Sequence, residues 1–153
     1  MSGLGAPPPE AEPTDPAAVG PLRGAVLRPG RPEAELIFDL DEDPRTGHYA
    51  VRYGAVVVGV ASVMADGHPR EPRQGDWRIR GMAVEEAHRG AGIGGSLLAA
   101  CEAHARRAGG SRLWCNARVG ARNLYLRGGL MIEGDQFEIP GIGPHLLMSK
   151  PLG

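Results

Sequence analysis

The residues with the clearest chemical potential form a glycine-rich loop between an apolar segment and an amphipathic one. The loop consists of Arg89, Gly90, Ala91, Gly92, Ile93, Gly94 and Gly95. Because glycine has no Cβ, a ligand can approach the backbone N–H groups of such a loop closely. At the start of a helix these N–H groups are unpaired and lie at the positive end of the helix dipole, where a pyrophosphate binds well. Arg89 adds a charge-assisted contact, so we predict that the glycine-rich loop binds phosphate.

Two phosphate-binding patterns fit this loop. Gly90 to Gly95 satisfies G-x-G-x-x-G, the dinucleotide fingerprint, which requires an acidic residue about 20 positions later at the end of the next strand. The next predicted strand ends without an acid, at Arg118, although an arginine there could contact the 2′-phosphate of NADP. A hairpin precedes the loop, and the 58 residues after Gly95 are too few for the remaining parallel strands and their crossovers. NADP binding is therefore the weaker alternative.

Length and composition indicate one globular domain. The chain has 153 residues, of which 42% are hydrophobic and 23% are charged. Six of its 14 prolines fall at or before Pro21. We predict a disordered, proline-rich leader over residues 1–19 and a single domain over residues 20–153.

Composition also argues against other classes of protein. The longest apolar stretch, residues 55–64, is about half of the ~20 residues that a transmembrane helix needs, and the N-terminus lacks the pattern of a secretory signal. Cys101 and Cys115 are too few for a disulfide scaffold or a zinc site, so we expect no bound metal. These features predict a cytoplasmic protein. The net charge of −1 gives no reason to expect a nucleic acid or a membrane surface as a partner.

Arginines are concentrated in the second half of the chain. Nine of them lie between Trp77 and Arg127, against three acidic residues. This excess of positive charge indicates an anionic ligand. The chain has seven aromatic residues, which are few for a surface on which nucleic-acid bases stack. A small polyphosphate is therefore a better candidate ligand than a nucleic acid.

Hydrophobic periodicity predicts an α/β (mixed α+β) fold with one central mixed sheet flanked by helices. The predicted strands cover residues 22–27, 48–53, 55–64, 77–84, 112–116, 130–139 and 145–150. A short helix follows Pro32, and two further helices cover residues 94–108 and 121–127. The glycine-rich loop thus joins the fourth strand to the main helix, and Gly81 within that strand indicates a bulge.

The sequence resembles the GNAT superfamily of N-acetyltransferases at three places. Residues 89–94 match R-x-x-G-x-G, the loop that holds the pyrophosphate of coenzyme A in that family. Residues 121–130 resemble the A-x-x-L/F-Y-x-x-x-G-F segment, with Leu130 where phenylalanine is usual. The C-terminal hairpin, residues 137–148, is similar to an ElaA-like branch. The resemblance runs from about Gly20 to Leu152.

The resemblance implies a fold and a binding site. The sheet would splay between strands 4 and 5, and acetyl-CoA would insert there like an extra strand. The pantetheine arm would bind the backbone of Met82, Ala83 and Val84, and the pyrophosphate would bind the glycine-rich loop. Asn123 and Tyr125 would lie near the thioester sulfur.

The implied reaction is direct transfer of an acetyl group from acetyl-CoA to a primary amine of a small molecule or peptide. Tyr125 would protonate the departing thiolate, and His145 in the last hairpin is the candidate base, since imidazole accepts protons near neutral pH. The alternative is that His145 is only a strand residue. A monomer or a homodimer is expected.

The sequence also departs from the family pattern on the acceptor side. Two helices usually lie between the first two strands, whereas residues 28–47 leave room for little more than one turn. Arg78 and Arg80 occupy the strand on which many relatives place a glutamate base, and Glu85 and Glu86 follow in a loop. Arg118 stands where the family usually has asparagine. A non-catalytic acyl-CoA-binding or sensor domain therefore remains an alternative.

Overall fold

A parallel strand pair lies at the centre of the sheet. A computed structural model describes residues 9–153, which form a seven-stranded sheet of order β1-β2-β3-β4-β5-β7-β6. The strands are β1 Glu12–Pro13, β2 Gly47–Tyr53, β3 Val56–Ala65, β4 Asp76–Val84, β5 Arg112–Arg118, β6 Met131–Ile139 and β7 Gly143–Pro151. The α-helices are α1 Pro16–Leu22, α2 Ile93–Arg107 and α3 Arg122–Arg127. The expected mixed sheet flanked by helices is confirmed.

Helices cover both faces of the sheet. Along α2 the buried side chains recur every four residues, at Ile93, Leu97, Cys101 and Ala105, so one stripe of the helix packs on the sheet. On the opposite face, α1 buries Val19 completely against residues of β2, β3 and β4. The sheet is therefore the middle of three layers.

β4 and β5 pair at one end and separate at the other. Their parallel ladder covers only Asp76–Arg78 and Arg112–Trp114, although β4 continues to Val84 and β5 to Arg118. At the paired end, the carboxylate of Asp76 receives two hydrogen bonds from the guanidinium of Arg112, at 2.8 and 3.0 Å. Beyond Arg78 the two strands leave backbone groups unpaired on the sides that face each other. The expected splay between strands 4 and 5 is present.

Gly81 lies at the predicted bulge. The register between β3 and β4 shifts by one residue opposite Gly81 and Met82, and Gly81 has a φ of +69°. A Cβ on this residue would lie 2.8 Å from Nε of Arg23 and 3.1 Å from the ring of Phe38. Glycine is thus required both by the backbone conformation and by the close approach of these side chains.

The first part of the chain corrects one prediction. Residues 22–27, predicted as a strand, end α1 and continue as a π-helical segment, Arg23–Leu27. The apolar residues Val19, Leu22 and Val26 recur at helical spacing and pack on the sheet, which overrides the strand-like local composition. The predicted disordered leader, residues 1–19, lies partly outside the described residues. Within the described part, Glu12 and Pro13 pair with β2.

Candidate active site

The glycine-rich loop ends in an uncapped helix N-terminus. Gly90 and Gly92 have φ values of +86° and +84°, which favour glycine, and Gly92 is the N-cap of α2 without a side-chain cap. The first hydrogen bond of the helix runs from the amide of Ser96 to the carbonyl of Gly92, at 3.1 Å. No group within residues 9–153 accepts a hydrogen bond from the amides of residues 90–95. These amides are therefore available to an anion.

The space in front of these amides is open. A Cβ added at Gly90 or Gly95 would meet no atom within 4 Å, whereas one at Gly94 would touch Leu124 at 3.2 Å. Packing within the protein therefore explains the glycine at position 94 but not that at position 95. A side chain at position 95 would project into the open space.

A cavity of about 860 Å³ extends from this loop along β4. Among the residues expected to bind the cofactor, those that line the cavity are Met82, Ala83, Val84, Arg89, Gly90, Gly92, Ile93, Gly94, Gly95 and Asn123. Ala91 is exposed and does not line it. The Nε–H of Arg89 donates to the carbonyl of Val84 at 3.2 Å, which holds this arginine beside the end of β4.

Other lining residues escaped the sequence analysis. Val26 and Leu27 contribute from the π-helical segment, Arg118 from the end of β5, and Leu124 and Arg127 from α3. The apolar residues between positions 19 and 27 recur at helical spacing, and this signal in the sequence would have placed Val26 and Leu27 against the sheet. Arg127 gives the cavity a second exposed guanidinium besides that of Arg89, and no sequence motif indicated it.

A smaller cavity of about 190 Å³ lies in the gap between β4 and β5. It adjoins the larger one, and the two share four lining residues, Leu27, Met82, Arg118 and Ala121. Tyr125 and His145, the two expected catalytic residues, both line this smaller cavity. The splay thus brings the predicted catalytic side chains to the inner end of the long cleft.

Tyr125 is nearly buried, with 5% of its surface exposed. Burial raises the pKa of its phenol well above the usual 10, since the charged phenolate is poorly solvated there. The hydroxyl therefore stays protonated at any working pH. It forms no hydrogen bond with another residue in the part of the chain that the structure describes, so its proton is free for a ligand.

His145 is held by its own strand. Its Nδ1 lies 2.8 Å from the carbonyl oxygen of Gly143. A carbonyl only accepts hydrogen bonds, so Nδ1 carries the hydrogen and the neutral imidazole keeps its lone pair on Nε2. This tautomer leaves Nε2 as the proton acceptor.

Positive charge surrounds the smaller cavity. Arg28, Arg78, Arg80 and Arg118 all line it. Burial and the neighbouring arginines lower the pKa of Arg80 from 12.5 to about 10, and burial lowers that of Arg118 as well. The arrangement favours a negatively charged group and disfavours a further cation.

The alternative acids and bases lie elsewhere. Glu85 lies 3.4 Å from His88, Glu86 is exposed, and neither lines either cavity. His48 is buried between the hydroxyl of Ser62 and the carbonyl of Asp41.

The cysteines do not supply a nucleophile. Cys101 and Cys115 are buried thiols whose pKa values burial raises to about 12. At neutral pH neither is a thiolate, the reactive form of cysteine.

None of the described helices is long and apolar enough to cross a membrane.

Comparisons with known proteins agree with this geometry. A family model described as the acetyltransferase (GNAT) family matches residues 20–129. The chain is 30% identical over 131 residues to "Uncharacterized N-acetyltransferase YitI" of Bacillus subtilis (strain 168), covering 86% of this chain and 88% of that protein.

Solved structures share the fold. The chain is similar to an acetyltransferase of the GNAT family from Streptococcus pneumoniae, with a TM-score of 0.69 and 17% identity over 94% of this chain and 98% of the other. It is also similar to an aminoglycoside 6′-N-acetyltransferase complexed with coenzyme A, with a TM-score of 0.67 and 16% identity over 93% and 96% of the two chains.

Proposed function

This chain belongs to the GNAT acetyltransferase family, and from that premise we propose that it transfers the acetyl group of acetyl-CoA directly to a primary amine. The observation that carries the proposal is the pair of adjoining cavities between the uncapped N-terminus of α2 and the gap between β4 and β5. A long thioester substrate needs an anion site for its phosphates and, at some distance from it, a chamber for its reacting carbon. The two cavities provide these two places.

The amides of residues 90–95, together with Arg89 and Arg127, would hold the pyrophosphate of the substrate. Free amides at a helix N-terminus and two guanidinium groups match the charge and geometry of phosphate oxygens. Backbone groups of Met82, Ala83 and Val84 on the side that faces the gap would bind the pantetheine arm by strand-like hydrogen bonds. Asn123 would lie beside the arm where it enters the gap. Solved relatives that bind coenzyme A support this assignment.

In the transfer step the amine nitrogen attacks the thioester carbonyl carbon. A C–N bond forms, the C–S bond breaks, and the amine loses one proton while the thiolate gains one. We propose that Nε2 of His145 accepts the amine proton, directly or through a water molecule.

Tyr125 would donate a hydrogen bond to the departing sulfur. A free thiol has a pKa near ~8.5, and burial raises the pKa of this phenol well above 10, so full proton transfer from Tyr125 to the thiolate is uphill. The hydroxyl therefore stabilises the developing negative charge, and the proton reaches the sulfur from solvent or from His145.

The two other functions considered have different support. Because β4 and β5 are the only parallel pair in the described sheet, the fold lacks the run of parallel strands of a dinucleotide-binding domain, which disfavours NADP binding. A non-catalytic acyl-CoA-binding domain would keep the larger cavity but would not need Tyr125 and His145 in the inner one.

Two measurements test the proposal. Coenzyme A and acetyl-CoA should raise the melting temperature, whereas NADPH should not. Thiol release from acetyl-CoA should then depend on an added amine. Stabilisation by coenzyme A without amine-dependent thiol release would favour the non-catalytic alternative.

We further propose that the enzyme acts in the cytoplasm, where its two thiols stay reduced, and that it works as a monomer or a homodimer.

A further inference from the structure

Five arginines from three distant parts of the chain converge at the inner end of the cleft. Arg23 begins the π-helical segment and Arg28 directly follows it. Arg78 and Arg80 lie on β4, and Arg118 ends β5. All but Arg23 line the smaller cavity.

Carboxylates of the protein neutralise only part of this charge. Arg23 pairs with the buried Asp41 at 2.6 Å, and Arg78 pairs with Asp66 at 3.3 Å. Among the side chains of residues 9–32 and 35–153, no carboxylate forms an ion pair with Arg80 or Arg118. Asp39, whose charge acts weakly on Arg80, is exposed.

Arg80 is the most informative member of the cluster. Its guanidinium carbon lies 3.9 Å from the ring centroid of Phe38, so the aromatic ring supports its flat face. Its N–H groups form no hydrogen bond with any described residue, although the side chain is half-buried. A partly desolvated cation without a partner is costly unless a ligand compensates its charge.

The phosphates of coenzyme A do not provide that compensation. Arg78 and Arg80 line the smaller cavity and not the larger one. Arg89 and Arg127 line the larger cavity, at the end next to the glycine-rich loop. Their neighbours in the smaller cavity are Tyr125 and His145, where the acetyl group would react. The anion that Arg80 attracts must therefore belong to the other substrate, the acceptor.

We propose that the acceptor is a primary amine that carries its own carboxylate or phosphate, and that Arg80 and Arg118 bind this anionic group. The inference rests on the proposed acetyl transfer and narrows its substrate class. The planar guanidinium of Arg80, with its free N–H groups, can bind either oxyanion in two-pronged geometry. Arg118, whose Nη2 also donates to the carbonyl of Leu27, adds a second positive charge beside it. The same positive cluster repels polyamines and other multiply charged cations.

Matched amine pairs test this inference. β-Alanine and β-alaninamide differ by one carboxylate charge, and O-phosphoethanolamine and ethanolamine differ by one phosphate, so the two pairs also distinguish the two anions. Spermidine serves as a cationic acceptor. We expect kcat/KM for thiol release to favour the anionic member of at least one pair by at least about tenfold.

Variants identify the residue responsible. Arg80→Met should raise KM for the anionic amine about 10–100-fold with little change in kcat, and Arg80→Lys should restore part of the loss. Arg52→Met, which removes an exposed arginine of β2 outside both cavities, should leave KM unchanged. Equal or better use of ethanolamine or spermidine, or an unchanged KM in Arg80→Met, overturns the inference while acetyl transfer stands.

A binding measurement covers the case in which no amine is acetylated. β-Alanine and O-phosphoethanolamine are titrated by calorimetry into wild-type protein and Arg80→Met, each saturated with coenzyme A. Binding of either compound that Arg80→Met loses supports the anion site and counts against the proposed catalysis. Absence of binding to the wild type overturns the anion site, and failure to bind coenzyme A overturns the proposed function itself.

Discussion

Arg118 of β5 and His145 of β7 lie directly opposite each other in an antiparallel ladder, and both side chains line the cavity in the gap between β4 and β5. The register thus places a guanidinium and an imidazole at the same reaction chamber. The first suits an anionic group of the acceptor, and the second suits the proton that its amine must lose.

Substituting His145 by glutamine tests the base. His145→Gln keeps a polar side chain but cannot take up the amine proton, so kcat should fall by about 10²–10⁴-fold. Affinity for coenzyme A, measured by calorimetry, should stay the same because His145 does not line the larger cavity. A kcat within threefold of the wild type would show that His145 only supports the hairpin.

Removing the hydroxyl of Tyr125 tests the hydrogen bond to the departing sulfur. Tyr125→Phe should lower kcat at least about tenfold and leave affinity for coenzyme A unchanged, because the contact matters mainly in the transition state. The same substitution at Tyr53, which is 41% exposed, should change neither quantity. Because burial raises the pKa of Tyr125 well above 10, its ionisation should produce no inflection in the wild-type pH–rate profile below pH 10. Equal kcat values for Tyr125→Phe and the wild type would assign Tyr125 to packing.

Filling the open space at Gly95 tests the pyrophosphate site. The Cβ of Gly95→Val meets no protein atom within 4 Å, so the fold should persist while bound phosphate is displaced. Calorimetry should show at least a hundredfold weaker binding of coenzyme A and a melting temperature close to that of the wild type. Ala103→Val places the same β-branched side chain at an exposed position of α2 and is the control for its effect on the helix. Wild-type affinity in Gly95→Val would mean that the phosphates bind elsewhere.

The ion pair between Asp76 and Arg112, where β4 and β5 are hydrogen-bonded, should make the free energy of unfolding depend on pH in the acidic range. Burial alone would raise the pKa of Asp76, but hydrogen bonds from Arg112 and from the amides of His68 and Arg73 outweigh it and lower the pKa from 3.8 to about 2. This contribution to stability, about 2 kcal/mol, is complete above pH ~4 and is lost as the pH falls toward 2. In urea unfolding, Asp76→Asn should be less stable than the wild type at pH 7, with a difference that shrinks below pH 4. A difference that is independent of pH would show that the carboxylate charge is not its cause.

Local patterns predicted the parts of the site that one segment builds alone. The glycine-rich loop and the bulge at Gly81 depend on backbone conformations and close approaches that favour glycine, so the residue type itself identifies them. The main helix was equally visible, because its buried residues recur every four positions.

Parts that depend on distant segments were not visible. The segment of residues 22–27 has the composition of a strand, and its helical conformation depends on packing of Val19 and Leu22 against β2, β3 and β4. The arginine cluster around the smaller cavity depends on the splay, which brings Arg80 of β4 and Arg118 of β5 to one chamber. The sequence shows the excess of arginine but not its convergence on this cavity.

Mass spectrometry of the reaction mixture tests the central claim, acetyl transfer to an amine, most directly. Protein, acetyl-CoA labelled in the acetyl group and a panel of anionic, neutral and cationic primary amines are incubated, with Gly95→Val as the control. We predict a labelled N-acetyl amine formed in equal amount to free coenzyme A with the wild type, and none with Gly95→Val. Retention of the label on coenzyme A with every amine, despite tight binding of acetyl-CoA, would contradict acetyl transfer and identify the protein as an acyl-CoA-binding domain.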